Sequence, residues 1–296
     1  MSAPGHIRQY IHLHFIVVLL GFTAIIGALI TLPAPDLVWF RMFFAFLGLW
    51  VFLLWRKIPF RIHGRDMLRL FGIGLVVALH WITFFHAVKV SNVSVTLGVF
   101  ASATLFTSFL EPILQRRRIF WLEVLIGMVT VAGIYIIFQY EFRYIEGILF
   151  SLASAFLNGL FAVFNRNISH RHHPTVISFF EMLGGFIFIS LFFALSGQLS
   201  LSSLSLSGSD LFWLLVLSLV CTSYAFTAIV DIMKVLSAYT VMLAINLEPV
   251  YGIIMAYFIF PGAERMSLGF YAGASLIVLA VVSYPYLKRK IRKIPY

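Results

Sequence analysis

"SAYTVMLAINLEPVYGIIMAYFIF" (237–260) is long enough to cross a bilayer, yet it holds a carboxylate, Glu248, between Asn246 and Pro249. A helix needs about 20 predominantly apolar residues to span the hydrocarbon. A charged side chain at its centre costs about 2.5–3.5 kcal/mol on insertion scales. A chain that keeps Glu248 there is expected to provide a wet or polar space for it. Pro249 removes a backbone donor and is expected to kink the span, freeing the carbonyl of Ile245 beside the amide of Asn246. Such a group would suit an amine, a hydroxyl or a proton, and Glu248 is the candidate for proton coupling. The competing reading is a glutamate that ties this helix to a neighbour.

The rest of the chain has the same character. Its 296 residues are 61% hydrophobic and only 11% charged, with a mean hydropathy of +1.01. Soluble domains carry roughly 25% charged residues, so lipid is the expected solvent. Apolar segments fall near 13–31, 37–55, 67–87, 93–114, 120–138, 145–164, 175–195, 211–232, 237–260 and 267–286. The soft connection "SGQLSLSSLSLSGSD" (196–210) reads as a solvated loop. The first segment lacks a small-residue cleavage site and is expected to be a retained span rather than a signal peptide. The predicted fold is all-α and integral to the membrane, with ten transmembrane helices.

Charge orients the spans. Lys89, Arg143 and Arg265 fall on one side, Arg41 lies within a span, and the remaining Lys and Arg share the other side. Basic loops stay cytoplasmic, so both termini are expected inside, in the cytoplasmic (inner) membrane. The net charge of +10 is divided among membrane-edge loops and gives no nucleic-acid surface. The single Cys221 excludes an internal disulfide.

The chain also resembles itself. "VSNVSVTLGVF" (90–100) aligns with "LSAYTVMLAIN" (236–246) at a shift of 146, placing Ser91 on Ser237 and Leu97 on Leu243. "RMFF" (41–44) meets "EMLG" (181–184) at a shift of 140. Two halves, 1–140 and 141–296, each of five spans, must enter the membrane in opposite senses because five is odd. Inverted repeats of this kind typify secondary transporters, with the binding site near the midplane.

Several spans carry stripes of small or polar residues at helical spacing. They are Gly21, Ala24, Ala28 and Thr31; Gly72, Val76, His80, Thr83 and Ala87; Ser94, Gly98, Ala101, Thr104, Ser108 and Glu111; Ser151, Ser154, Asn158 and Ala162; and Ser237, Thr240, Ala244, Glu248 and Gly252. Close helix packing in lipid explains any one such stripe; several together predict a shared central space. Spans two, five and seven are expected to form a lipid-facing shell. His80 is balanced between cavity lining and an interhelical hydrogen bond, as is Asn158. Glu111 is read as an interfacial ion pair with Arg116 to Arg118. Glu181 is expected to reach water at the inner side, and Arg41 to snorkel outward. "ISHRHHP" (168–174) lacks paired ligands at helical spacing and reads as a turn, so no metal and no cofactor is expected.

"INLEPVYGIIMAYFIFPGAERMSLGFYAGASLIVLAVV" (245–282) resembles the drug/metabolite transporter superfamily, in particular its EamA-type members. Pro249 matches the family's proline in span nine, Glu264 in "PGAE" its turn glutamate, and Gly273 its glycine in span ten. "PDLVWFRMFFAF" (35–46) resembles the second-span pattern through Pro35 and Arg41. The first half departs from the pattern, with Arg118 where a turn glutamate would stand and the proline displaced to Pro112. The resemblance implies a cavity built by spans one, three, four, six, eight and nine, and movement of a small metabolite, often an amino acid. Span eight would contribute Ser218, Thr222, Ala225 and Tyr224. The expected function is a secondary carrier for a small amphipathic solute working by alternating access. Asn158, Asn246, His80 and Glu248 would supply polar contacts; Trp81, Thr83 and Tyr224 complete the candidate substrate site. The expected partners are that small molecule and the lipid bilayer, and a homodimer is left open. The alternatives are a non-transporting receptor or scaffold, and an intramembrane enzyme, for which no HExxH, GxSxG or paired embedded aspartates are present.

Overall fold

A lipid-embedded backbone has to satisfy its own polar groups, which favours helices. The computed structural model describes residues 7–114, 116, 121–168, 171–197, 206–233, 244–245 and 247–291, and among them there is no strand. The helices are α1 (Ile7–Leu29), α2 (Ala34–Trp55), α3 (Gly64–Val90), α4 (Val93–Phe100), α5 (Ala103–Leu114), α6 (Trp121–Tyr140), α7 (Ile145–Ile168) and α8 (Pro174–Leu195). Then come α9 (Gly208–Leu215), a π segment (Val216–Tyr224), α10 (Ala225–Met233), α11 (Glu248–Ile259) and α12 (Leu268–Ile291). Among the described residues, 7 helical stretches are long and apolar enough to cross a membrane, and Val124–Tyr140, Glu248–Ile259 and Leu268–Tyr284 are shorter apolar helices. The chain is a multi-pass integral membrane protein.

Three of the predicted spans differ from single helices. Residues 93–114 break at Ala101 and Ser102 into α4 and α5. Residues 211–232 pass through the π segment, where Thr222 Oγ1 donates to the Leu217 carbonyl (2.9 Å) and Ser223 Oγ to the Ser218 carbonyl (3.0 Å), both five residues back. In 237–260 the helix α11 begins at Glu248, with Pro249 in its first turn. Proline there forfeits an N–H that has no helical partner anyway. Ala244 and Ile245 are helical as well, so the span is interrupted at Leu247, just ahead of Pro249.

Lipid gives helices no hydrophobic reason to associate, so small residues that permit close approach decide the seams. On α3, a Cβ at Gly74 would strike the Glu181 carbonyl and lie 2.8 Å from Gly185 N of α8. One at Gly21 of α1 would lie 2.9 Å from the Glu248 carbonyl and 3.0 Å from Gly252 N of α11. One at Gly273 of α12 would lie 2.7 Å from the Gly133 carbonyl of α6. Gly98 of α4 packs on Phe270. Much of the small-residue striping thus serves helix contact. Met128, Val131 and Tyr135 on α6, with Phe192 and Leu195 on α8, are exposed apolar side chains suited to lipid.

One end of the bundle is clamped by three buried carboxylates. Asp210 accepts from Thr31 N (2.8 Å) and Thr31 Oγ1 (2.7 Å), joining the end of α1 to the start of α9. Glu264 accepts from Val93 N (2.9 Å) and Ser94 N (2.8 Å), satisfying two first-turn donors of α4. Glu141 accepts from Ser267 N (3.0 Å) and Ser267 Oγ (2.8 Å) ahead of α12. Lys89 Nζ adds a bond to the Ile30 carbonyl (2.7 Å). The start of α1 and the end of α12 lie at the opposite end.

Candidate functional site: a central cavity with opposed charges

Between the helices lies a cavity of about 420 Å³, within the range of roughly 300–1,000 Å³ typical of small-molecule sites. Leu20 and Thr23 of α1, Arg41 of α2, and Val77, His80, Trp81 and Phe84 of α3 line it. Phe100 of α4, Asn158, Phe161 and Asn165 of α7, Met182 of α8 and Ile229 of α10 continue the wall, and Ile245 and Glu248 complete it. The lining is mostly apolar and aromatic, with a few convergent polar groups.

Arg41 does not snorkel: it is 3% exposed. The guanidinium carbon lies 3.6 Å from the centre of the Trp81 ring, a cation–π contact whose strength grows when it is desolvated. Nε and Nη2 donate to Thr222 Oγ1 at 3.2 and 3.1 Å. Thr222 can accept both because its own proton goes to Leu217 within the π segment. Among the described residues Nη1 has no hydrogen-bond partner, and Arg41 is part of the cavity wall. Spans two and seven are therefore more than a lipid-facing shell, since Arg41 and Met182 both reach the centre.

Glu248 shares the cavity with Arg41, and the two interact electrostatically without forming an ion pair within 4 Å. Its position in the first turn of α11 suits a carboxylate, because the helix end presents unsatisfied N–H groups there. Asn246, two residues earlier, lies outside the described residues, as do Ser237 and Thr240 of the same predicted stripe.

His80 is 8% exposed and packs its ring against Phe100 at 5.6 Å. Its Nδ1 lies 3.0 Å from the Ser154 carbonyl and 2.8 Å from Ser154 Oγ. A carbonyl accepts only, so Nδ1 carries a proton and Nε2 is the acceptor of the neutral ring. Ser154 Oγ in turn donates to the His80 carbonyl (3.1 Å), so α3 and α7 are tied together at this level. Both expected roles of His80, interhelical bond and cavity wall, coexist.

Thr83 and Tyr224 are placed elsewhere. The Thr83 hydroxyl turns back on its own helix, 2.8 Å from the Leu79 carbonyl and 2.9 Å from that of His80. Tyr224 lines a separate cleft of about 440 Å³ with His12 and Arg56. Its hydroxyl lies 2.7 Å from His12 Nε2. The structure adds Arg41 and Asn165 to the cavity. The sequence carries the signal for Arg41, a charge inside an apolar span, and the structure places it inward rather than at the surface.

Glu181 is also unlike its expectation. It is 0% exposed, and neither carboxyl oxygen has a hydrogen-bond partner among the described residues. In the histidine run, His172 Nε2 lies 2.9 Å from Asp66 Oδ2, and His173 Nδ1 accepts from Thr175 N at 3.3 Å to cap α8. His170 lies outside the described residues, as do Arg117 and Arg118. Among the described residues no group of three His, Cys, Asp or Glu is placed to hold a metal ion.

Comparison with known proteins sets this geometry in context. Residues 145–284 match the model of the EamA-like transporter family. No curated protein matches the chain. One solved crystal structure of a protein, 17% identical, aligns with a TM-score of 0.64 over 94% of this chain and 97% of that one. At that identity the likeness is one of fold.

Proposed function

We propose, from the premise that the chain belongs to the EamA-like transporter family and is a membrane transporter of the drug/metabolite type, that it is a secondary carrier for a small zwitterionic, amphipathic solute such as an amino acid. The observation that carries this reading is one cavity holding a cation, Arg41, and a carboxylate, Glu248, between aromatic walls. Arg41 Nη1 would take the solute's carboxylate in a charge-assisted hydrogen bond. Glu248 would take its ammonium group, and Trp81, Phe84, Phe100 and Phe161 its apolar part. The Nε2 acceptor of His80 and the amides of Asn158 and Asn165 would fix orientation.

The architecture proposed for this carrier is ten spans in two inverted repeats, 1–140 and 141–296. The pattern of helix contacts supports it. A shift of five spans carries the α3–α8 contact onto that between the π segment and α2, and the α4–α7 contact onto that between α11 and α1. It maps the α2–α8 and α6–α12 contacts onto themselves. With the basic loops cytoplasmic, the carboxylate clamp shuts the outer end and the solute enters from the cytoplasmic side of the inner membrane. Rocking of one half against the other would break the clamp and open the outer side.

The reading is tested by counterflow in proteoliposomes with labelled phenylalanine, phenethylamine and phenylpropionate. The zwitterion is expected to exchange at least about tenfold faster than either analogue, the worth of one lost polar contact at about 1.4 kcal/mol. Uptake no faster than in empty vesicles, or equal for all three, rules it out.

A further inference from the structure

The buried group that the carrier cycle above leaves unused is Glu181. A carboxylate without partners in a dry seam is among the costliest arrangements a protein can hold, and adding a proton removes the charge. Burial here is complete, and among the described residues both oxygens lack a hydrogen-bond partner.

Most of the charged groups on α2, α3 and α10, which pack against α8, are engaged elsewhere or exposed. On α2, Asp36 stands in the first turn, and Arg41 is held by Thr222 and Trp81. On α3, Arg65 is exposed, and Asp66 binds Arg69, Arg171 and His172. Farther along α3, His80 binds Ser154, His86 meets Glu146 and Lys89 bonds the Ile30 carbonyl. The side chain of Asp231 on α10 lies outside those described. Among the described residues none of these acts on Glu181.

The neighbouring residue shows what the arrangement is for. Under the shift of 140, Arg41-Met42 corresponds to Glu181-Met182. In the first pair Arg41 lines the cavity while Met42 is turned to the seam against Gly185. In the second pair the roles are exchanged, with Met182 lining the cavity and Glu181 in the seam. Adjacent residues of a helix point about 100° apart (3.6 residues per turn), so a turn of α8 by one position brings Glu181 to the cavity and withdraws Met182. If the halves exchange conformations during transport, this is the change that makes the second pair resemble the first.

We propose that Glu181 is a proton-binding site whose proton holds the clamped state. While the α3–α8 seam is shut the carboxyl group keeps its proton. When α8 turns, the O–H bond breaks, the proton passes to cavity water, and the carboxylate is left solvated and near Arg41. This inference rests on the two-repeat carrier reading. Its sign follows from linkage: the state that binds the proton gains population as pH falls, and the turned, open state gains as pH rises.

The test needs no substrate. Spin labels at Pro33→Cys and Ala263→Cys, exposed positions beside the clamp residues Thr31 and Glu264, report its opening in proteoliposomes, with Cys221→Ala removing the native thiol. From about pH 6 to about pH 9 the ratio of long to short distances is expected to rise at least about tenfold in the parent, set by the proton linkage. In both Glu181→Gln and Glu181→Met it is expected to move less than about twofold, because neither side chain can lose a proton. The methionine variant keeps the test open if the amide one misfolds, and it is expected to melt no lower than the parent. An equal pH response in parent and variants overturns the proposal and leaves the two-state carrier standing. A single distance at every pH in all of them overturns both.

Discussion

Arg41 and Glu181 correspond under the sequence shift of 140, and the fold treats them in opposite ways. Arg41 has a stacking surface, a hydroxyl that accepts two of its N–H groups, and an opposing carboxylate across a cavity. Glu181, equally buried, has no hydrogen-bond partner among the described residues. The difference teaches that intramembrane charge is not one phenomenon. A charge met by dipoles and an aromatic face is stabilised where it stands; one without them is held at a cost, and the roles proposed for the two differ accordingly.

The largest effect that tests this contrast is expected at the opposed charges. Truncating one member of a desolvated, hydrogen-bonded charge pair costs roughly 2–5 kcal/mol in binding, or about 30-fold to several thousandfold. Arg41→Ala and Glu248→Gln are each expected to lose zwitterion exchange by at least about thirtyfold while the purified protein stays folded. Arg41→Lys keeps the charge without the forked donors and is expected to fall between. Exchange within about threefold of the parent in both Arg41→Ala and Glu248→Gln, with pH dependence preserved in the latter, would place the solute elsewhere.

The seam that buries Glu181 gives a smaller, structural effect. Gly74 and Gly72 are separated by one residue on α3, yet a Cβ at Gly74 meets the α8 backbone while one at Gly72 meets nothing within 4 Å. Gly74→Ala is expected to lower stability by about 1–3 kcal/mol, the usual cost of overpacking, and Gly72→Ala to leave it within about 0.5 kcal/mol. Melting temperatures in lipid or mild detergent decide. Equal shifts for the two would mean that α3 and α8 are not tightly seated, and that water has a path to Glu181.

How far the sequence foretold these arrangements depends on which physical quantity each one needs. Apolar run length is one-dimensional, so the helical membrane class was legible, including the regions that became α4 with α5 and α9 with α10. The break at Ala101 and Ser102 carries no proline or glycine to announce it. The π segment depends on hydroxyl bonds five residues back, and Ser and Thr make several such bonds. Pro249 was visible and marks an interrupted span, but sequence does not say whether the helix bends through it or restarts there. Glu248, His80, Trp81 and Asn158 line one cavity, and it was the stripes of small and polar residues at helical spacing, with Trp81 flanking one, that pointed to a shared space. Arg41 was misplaced because snorkelling is judged from distance to the helix end. What holds the residue inward are Trp81 and Thr222, 40 and 181 positions away in sequence.

The smallest expected effects fall on the two described candidates that the cavity leaves out. Thr83 is three residues after His80, and a helix turns about 300° over that distance. The two side chains share a general face without sharing a wall, and the Thr83 hydroxyl already has two carbonyls of its own helix. Thr83→Val removes only bonds that a helix makes redundantly. Tyr224 closes the π segment, and its hydroxyl meets His12 in a different cleft. Tyr224→Phe and Thr83→Val are each expected to change exchange by less than about twofold, as usual for substitutions away from a binding site. A loss from Tyr224→Phe as large as that from Arg41→Ala would move the path of the solute out of the Arg41–Glu248 cavity and into the cleft beside α1. In that case Arg41 would be as much a buried structural charge as Glu181, and the contrast between them would reduce to how well each is solvated.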